Sequence, residues 1–162
     1  MSSERLVVAI DTSTDMLACA VARVTDAAGD GRMTIDVLAT DDHMCRRRAN
    51  VELVNTIDAA LADAGRLRGE VDAYLVGRGP GSFTGVRIGI STAKGLARGA
   101  NVPLYGASTL DACAWTAWRA GVRGLLGVAA DAMRGEVYPA LYQLDEAGAH
   151  RMFDRERVVK AA

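Results

Sequence analysis

Residues 77–89 read Gly77-Arg78-Gly79-Pro80-Gly81-Ser82-Phe83-Thr84-Gly85-Val86-Arg87-Ile88-Gly89. The apolar run Val71 to Val76 before it reads as a buried strand, and the periodic run Val86 to Arg98 after it reads as a helix. A strand, a glycine-rich turn and a helix N-terminus in succession aim backbone N–H groups outward beside the positive end of a helix dipole, which is the physics of an anion site. Glycines in the same place also let two backbones approach closely, so packing is the competing use. A Walker loop needs Gly-Lys followed by Ser or Thr, but Val86 follows Gly85 and Lys94 lies two turns along the helix. A Rossmann fingerprint needs Gly-x-Gly-x-x-Gly in the first strand–helix unit and an acid beyond it; here the glycines are 79, 81 and 85, and Asn101 and Pro103 follow the helix.

Outward from this stretch the order is regular. Leu6 to Ile10, Leu17 to Val24 and Met33 to Ala39 predict a three-strand meander with turns at Asp11–Asp15 and Asp26–Gly31. Val51, Val54, Ile57, Ala60 and Leu61 recur at helical spacing over Asn50–Ala64, with Gly65 as the stop. After the glycine turn and its helix come a strand, Val102 to Tyr105, and a helix, Thr109 to Arg119, with Ser108 placed to cap it. The sum is an α/β layout, a mixed sheet with an antiparallel edge and flanking helices. Leu125–Ala129, Asp131 and Val137–Leu144 then repeat the strand–Asp–turn–strand pattern that Asp11 opens, which predicts two structural repeats. The expected boundaries are 1–107 for the first domain and 108–162 for the start of a second. That second repeat reads as incomplete, because Arg151–Lys160 mixes charged and apolar groups and the sequence stops at Ala161-Ala162.

Composition narrows the function. The chain has 162 residues, half of them apolar, and a net charge of −1, so no global basic field attracts bare nucleic acid. Arg46-Arg47-Arg48 is a local exception and reads as a solvated helix approach. Three widely spaced cysteines, Cys19, Cys45 and Cys113, contain no Cys-x-x-Cys and suit a reducing cytoplasm better than a disulfide scaffold. Asp11 interrupts any signal-peptide core, and no apolar run approaches the 18 or so residues needed to cross a membrane.

Duplicated units of this kind resemble the superfamily of actin, the heat-shock chaperone ATPases and the sugar kinases, a ribonuclease H-like fold. The motifs Val8-Ala9-Ile10-Asp11-Thr12-Ser13-Thr14, Gly79 to Gly89, Lys94-Gly95-Leu96-Ala97, and Asp131 with Arg134-Gly135-Glu136-Val137-Tyr138 resemble, more narrowly, the TsaB family over about residues 5–145. Older names for it are YeaZ and glycoprotease-like peptidase. The resemblance implies a non-catalytic, dimerisation-type subunit of the bacterial machinery that makes threonylcarbamoyladenosine in tRNA. Its implied partners are a catalytic TsaD-type subunit, met through N-terminal-domain helices, and a TsaE-type ATPase. In the family such helices from two chains make a bundle, either with the catalytic partner or with a second copy, so a homodimer stays open in isolation. The tRNA is reached indirectly through the complex. No cofactor is implied for the isolated chain, with ATP and Mg²⁺ confined to the assembly.

The residues fit a subunit without catalytic groups of its own. The related catalytic subunits carry a His-x-x-x-His pair on the first long helix, whereas this chain has only His43 and His150, far apart. Glu52 and Asp58 read as surface groups, so no metal set is expected, and a metallopeptidase lacks its ligands. The family's His-Ser-Glu run near the start of this helix is missing here. In the helix after the glycine turn, Gly85, Gly89 and Ala93 recur every four residues, with Thr92 and Leu96 on the neighbouring stripe. Glycine in a helix costs up to about 1 kcal/mol relative to Ala, so close packing is the expected return. With Val54, Ile57 and Leu61 of the first helix, these residues are the expected subunit interface; packing against the chain's own sheet is the alternative. For anion or nucleotide contact the candidates are Asp11, Thr12, Ser13, Gly79, Gly81, Ser82, Thr84 and Arg87. They would serve an ATPase or kinase of the same superfamily. Ser13 stands where such relatives carry a turn glycine, which favours a turn-forming Asp11. Trp115 and Trp118 share a helix face and read as core, as does Cys19 in its strand.

Overall fold

The computed structural model describes residues 3–26, 33–46, 48–152 and 157–160. They divide into two compact units, one built from Met1–Arg78 and Ser82–Gly106, the other from Gly79–Gly81 and Ala107–Ala162.

In the first unit, β1 (Ser3–Asp11), β2 (Met16–Asp26) and β3 (Met33–Met44) form an antiparallel meander, and β4 (Ala73–Gly77) joins β1 in parallel. With β5 (Leu104–Ala107) the sheet order is β3-β2-β1-β4-β5. This is the mixed sheet with an antiparallel edge that the order of elements predicts. Alternation decides its inner face. Val8 pairs with Val21 and Tyr74, and Ile10 with Cys19 and Val76, so two rows of buried side chains cross three strands. Helices α1 (Ala49–Asp63) and α2 (Phe83–Ala100) contact the sheet and each other. From them Leu53, Ile57, Ala60, Leu61, Ala93 and Ala97 complete the core. Each fully buried Val, Leu or Ile there contributes about 1.5–3 kcal/mol. Gly65, at φ +65°, follows the last turn of α1, and Asn101, at φ +56°, ends α2 in the left-handed conformation.

Two elements exceed their predicted bounds. α2 begins at Phe83 rather than Val86, because Ser82 caps it and its Oγ accepts a hydrogen bond from the Gly85 N–H at 3.3 Å. β3 runs past Ala39 to Met44: the polar stretch Thr40–His43 pairs with β2 down to Met16↔Met44, as an edge strand that tolerates polar side chains. The predicted turn Asp26–Gly31 falls beyond Asp26 outside the described residues, as do Arg47 of the arginine run, residues 153–156 and Ala161-Ala162.

In the second unit, β6 (Gly124–Met133), β7 (Glu136–Leu144) and β8 (Ala149–Arg151) form another antiparallel meander, with β9 (Val159–Lys160) also on β7. α3 (Thr109–Arg119) packs on it through Leu110 and Ala114, against Ala140, Tyr142 and Leu144. Asp111 of α3 accepts hydrogen bonds from Tyr142 Oη at 2.7 Å and from Arg151 at 3.0 Å, tying the helix to β7 and β8. Trp118 packs on this core and donates to the Asp145 carbonyl at 2.6 Å, while Trp115 meets it edge to face and stays 45% exposed. The repeat visible in sequence has a local counterpart. Asp11 Oδ1 accepts from the Ser13 N–H at 2.7 Å, and Asp131 Oδ1 accepts from the Met133 N–H at the same distance. Each is an Asx turn closing a hairpin.

Candidate partner-binding face

The glycines that flank the turn, Gly77, Gly85 and Gly89, are used for close packing. A Cβ on Gly77 would lie 2.1 Å from the Asp11 carboxylate, one on Gly85 would lie 2.0 Å from the Thr12 carbonyl oxygen, and one on Gly89 would lie 2.5 Å from Thr12 Oγ1. The Ser82 N–H donates to the Ser13 carbonyl at 2.6 Å. The first turns of α2 therefore lie directly on the Asp11–Ser13 turn, and only glycine fits. Thr12 and Ser13 are 3% and 1% exposed. This corrects the anion expectation for them: their side chains face protein. Gly79 and Gly81 fall in the second unit, where the Gly79 carbonyl accepts from the Thr109 N–H at 2.8 Å.

Residues 42–156 match the family model described as TsaD: tRNA N6-adenosine threonylcarbamoyltransferase. The tRNA threonylcarbamoyladenosine biosynthesis protein TsaB of Escherichia coli K12 is 39% identical over 154 residues, 95% of this chain and 62% of that protein. The protein of the same name from Haemophilus influenzae is 40% identical over 130 residues, 80% of this chain and 50% of that one. YeaZ from Pseudomonas aeruginosa superposes with a TM-score of 0.79 at 31% identity, covering 96% of this chain and 68% of that structure. The chain belongs to the TsaB (YeaZ) family. It spans between half and two thirds of the length of these two curated TsaB proteins.

The interface expected from the TsaB resemblance must be redrawn. Ile57 and Leu61 are 0% and 2% exposed, and Gly85, Gly89 and Ala93 are buried as well. They pack inside the first unit and present no surface, so the alternative of packing against the chain's own sheet holds for these five. Leu96 is partly buried against the same core. Val54 and Thr92 remain accessible. Thr92 lines a groove of about 410 Å³ with Asn50, Phe83, Thr84, Arg87, Ile88 and Ser91. Phe83 is 75% exposed, Val51 61% and Val54 39%. Arg87 stacks its guanidinium over Phe83 at 5.2 Å, so this cation sits on the rim of an apolar groove. Thr84 and Arg87 thus belong with the α1–α2 face rather than with Asp11. Sequence reasoning missed Asn50, Phe83, Ile88 and Ser91; the i, i+4, i+7 spacing of Thr84, Ile88 and Ser91 was the available signal.

A second cluster lies where β3 passes into α1. His43 Nε2 is 3.3 Å from Glu52 Oε2, and the Cys45 thiol donates to the same oxygen at 2.9 Å. His43 Nδ1 meets Asp41 at 3.0 Å, and Arg48 Nε meets Glu52 Oε1 at 2.8 Å. The bond to Asp41, aided by the one to Glu52, raises the His43 pKa. Burial and then the Glu52 contact raise that of Cys45, while the Cys45 bond, followed by Arg48, lowers that of Glu52. Glu52 is thus not the lone surface group expected from the sequence: three ligand-type side chains, His43, Cys45 and Glu52, converge here. Asp58, by contrast, pairs with Arg68 on the surface, and His150 with Asp145 in the second unit.

Proposed function

We propose that this chain is a non-catalytic partner subunit in the formation of N6-threonylcarbamoyladenosine in tRNA, docking a TsaD-type catalytic subunit through the exposed side of α1 and α2. The observation that carries the reading is the groove on that face: Phe83, 75% exposed, lines it with Ile88 and Thr92, and α1, which supplies Asn50 to the same groove, also carries Val51 and Val54 in the open. Apolar side chains clustered around a groove with a polar and cationic rim suit a protein partner. The names of the TsaB relatives support the pathway. A second copy of the chain can use the same face when the partner is absent. A TsaE-type ATPase then joins the pair, ATP and Mg²⁺ act in the assembly, and tRNA is met through the complex in the cytoplasm. No helix among the described residues is long and apolar enough to cross a membrane.

The test is light scattering after size exclusion of the chain mixed with its TsaD-type subunit, beside Phe83→Asp and Val54→Asp variants. A hetero-complex with the wild type and none with folded variants is the expected result. Equal association of all three rejects the face. An ATPase or kinase reading, by contrast, would need Asp11, Thr12 and Ser13 at the phosphates, and Thr12 and Ser13 are buried beneath α2. Tight binding of ATP–Mg²⁺ by the isolated chain would favour it instead.

A further inference from the structure

We propose that His43 Nε2, the Cys45 thiolate and one Glu52 carboxylate oxygen form a binding site for a single zinc-class divalent cation. The three ligand atoms lie within 4.8 Å of one another. In a tetrahedral zinc site with bonds of about 2.0–2.3 Å, neighbouring ligand atoms stand about 3.5 Å apart. The observed separations of 3.3 Å (His43 to Glu52) and 2.9 Å (Cys45 to Glu52) need only small side-chain adjustments to admit an ion.

Imidazole, thiolate and carboxylate together suit Zn²⁺ and its spectroscopic substitute Co²⁺; calcium and magnesium favour sets made only of oxygen. The thiol proton now donated to Glu52 passes to solvent as the metal enters, since a coordinating cysteine is a thiolate. Three protein ligands leave a fourth position for water. The side is open: the His43 and Glu52 side chains are 39% and 26% exposed, while Cys45 is buried at 5%.

The supporting contacts are already in place. Asp41 holds His43 Nδ1, the carboxylate–histidine pairing that orients a ligating imidazole. Arg48 engages Glu52 Oε1 and leaves Oε2 turned toward His43 and Cys45. Backbone bonds fix all three carriers. His43 pairs with Leu17 in the sheet, the Cys45 N–H donates to the Asp15 carbonyl at 2.8 Å, and the Glu52 N–H donates to the Arg48 carbonyl at 3.1 Å. A bound ion would cross-link the end of β3 to the first turn of α1.

The experiment is a Co²⁺ titration of the metal-free chain followed by Zn²⁺ competition, with His43→Ala, Cys45→Ser and Cys113→Ser variants whose folding is checked by circular dichroism. The expected result is one Co²⁺ per chain, a thiolate-to-cobalt charge-transfer band, and its displacement by Zn²⁺. Cys113→Ser keeps the band. Cys45→Ser loses it, and His43→Ala weakens binding at least about tenfold. Zn²⁺ raises the melting temperature of the wild type and not of the Cys45→Ser chain. Absence of the band in the wild type, its survival in Cys45→Ser, or unchanged affinity in His43→Ala overturns the site.

Discussion

The Thr12 hydroxyl donates a hydrogen bond to the Gly85 carbonyl at 2.7 Å, joining the first turn of the chain to the first turn of α2 across 73 residues. The bond is buried, and the two backbones come close enough that Gly85 has no room for a Cβ. One residue therefore accounts for two features of the Gly79–Gly89 motif. Thr12 presses its carbonyl on Gly85 and its hydroxyl on Gly89, so both positions are closed to side chains.

Alanine at these two glycines should separate backbone from side-chain obstruction. At Gly85 the new Cβ meets the Thr12 carbonyl, and main chain must move. At Gly89 it meets Thr12 Oγ1, which Thr12→Ala removes. Gly89→Ala is expected to destabilise by about 1–3 kcal/mol, the range for overpacking, and Gly85→Ala by more. In urea melts, Thr12→Ala combined with Gly89→Ala should be less destabilised than the sum of the two single changes, while no such coupling offsets the backbone clash at Gly85. Additivity at Gly89 would show that the contact with Oγ1 is not what excludes a side chain there.

Ile57 and Val54 lie three apart on α1 and divide core from surface. Ile57 is fully buried, and Ile57→Ala should lower the unfolding free energy by about 2–5 kcal/mol. Val54→Ala, at 39% exposure, should change it by no more than about 0.5 kcal/mol. Thermal and urea denaturation of the two variants checks the ordering. Similar losses would mean that α1 is seated with a different face inward.

Much of this fold was legible in the sequence, because the apolar runs Leu6–Ile10 and Leu17–Val24 mark strands that face a core and the apolar spacing over Asn50–Ala64 marks a helix, although Val51 and Val54 of that spacing lie exposed. The interface was harder to read. Gly85, Gly89 and Ala93 announce a close approach, but spacing alone does not say whether the approaching surface belongs to another chain or to the chain's own Thr12 turn. Periodicity likewise marks Ile57 and Leu61 as apolar without telling an inward stripe from an outward one on a helix that carries both. The His43–Cys45–Glu52 cluster escaped for another reason. Thr40–His43 looks like a polar loop, and only its pairing with β2 brings His43 beside the first turn of α1.

The cysteines should differ sharply toward a thiol reagent. Cys113 is exposed on α3, whereas Cys19 is 3% exposed, and burial, followed by the charge of Asp41, pushes its pKa up to about 12. Thiolate is the reactive form, so Cys19 is both shielded and protonated at neutral pH. Mass spectrometry of the native chain after brief alkylation should find Cys113 modified and Cys19 unmodified, with Cys19 reacting only in denaturant. Rapid native modification of Cys19 would contradict its place between β1 and β3.

His43 should make stability depend on pH in the absence of metal. Its hydrogen bond to Asp41, with a further one to Glu52, raises its pKa above the ordinary 6.5, so the folded state binds the proton more tightly than the unfolded chain. The contribution is fully present below about pH 6.5 and is lost as pH rises through the higher folded value. His43→Gln removes it, so the wild type should exceed the variant in stability by a larger margin in mildly acidic buffer than above neutrality. The half-exposed pair keeps the effect small, because solvent and salt screen it. Paired urea melts with a metal chelator present, below and above this window, measure the change in margin. A margin that grows toward alkaline pH would mean that His43 is held neutral in the fold, with Asp41 and Glu52 failing to stabilise its charge.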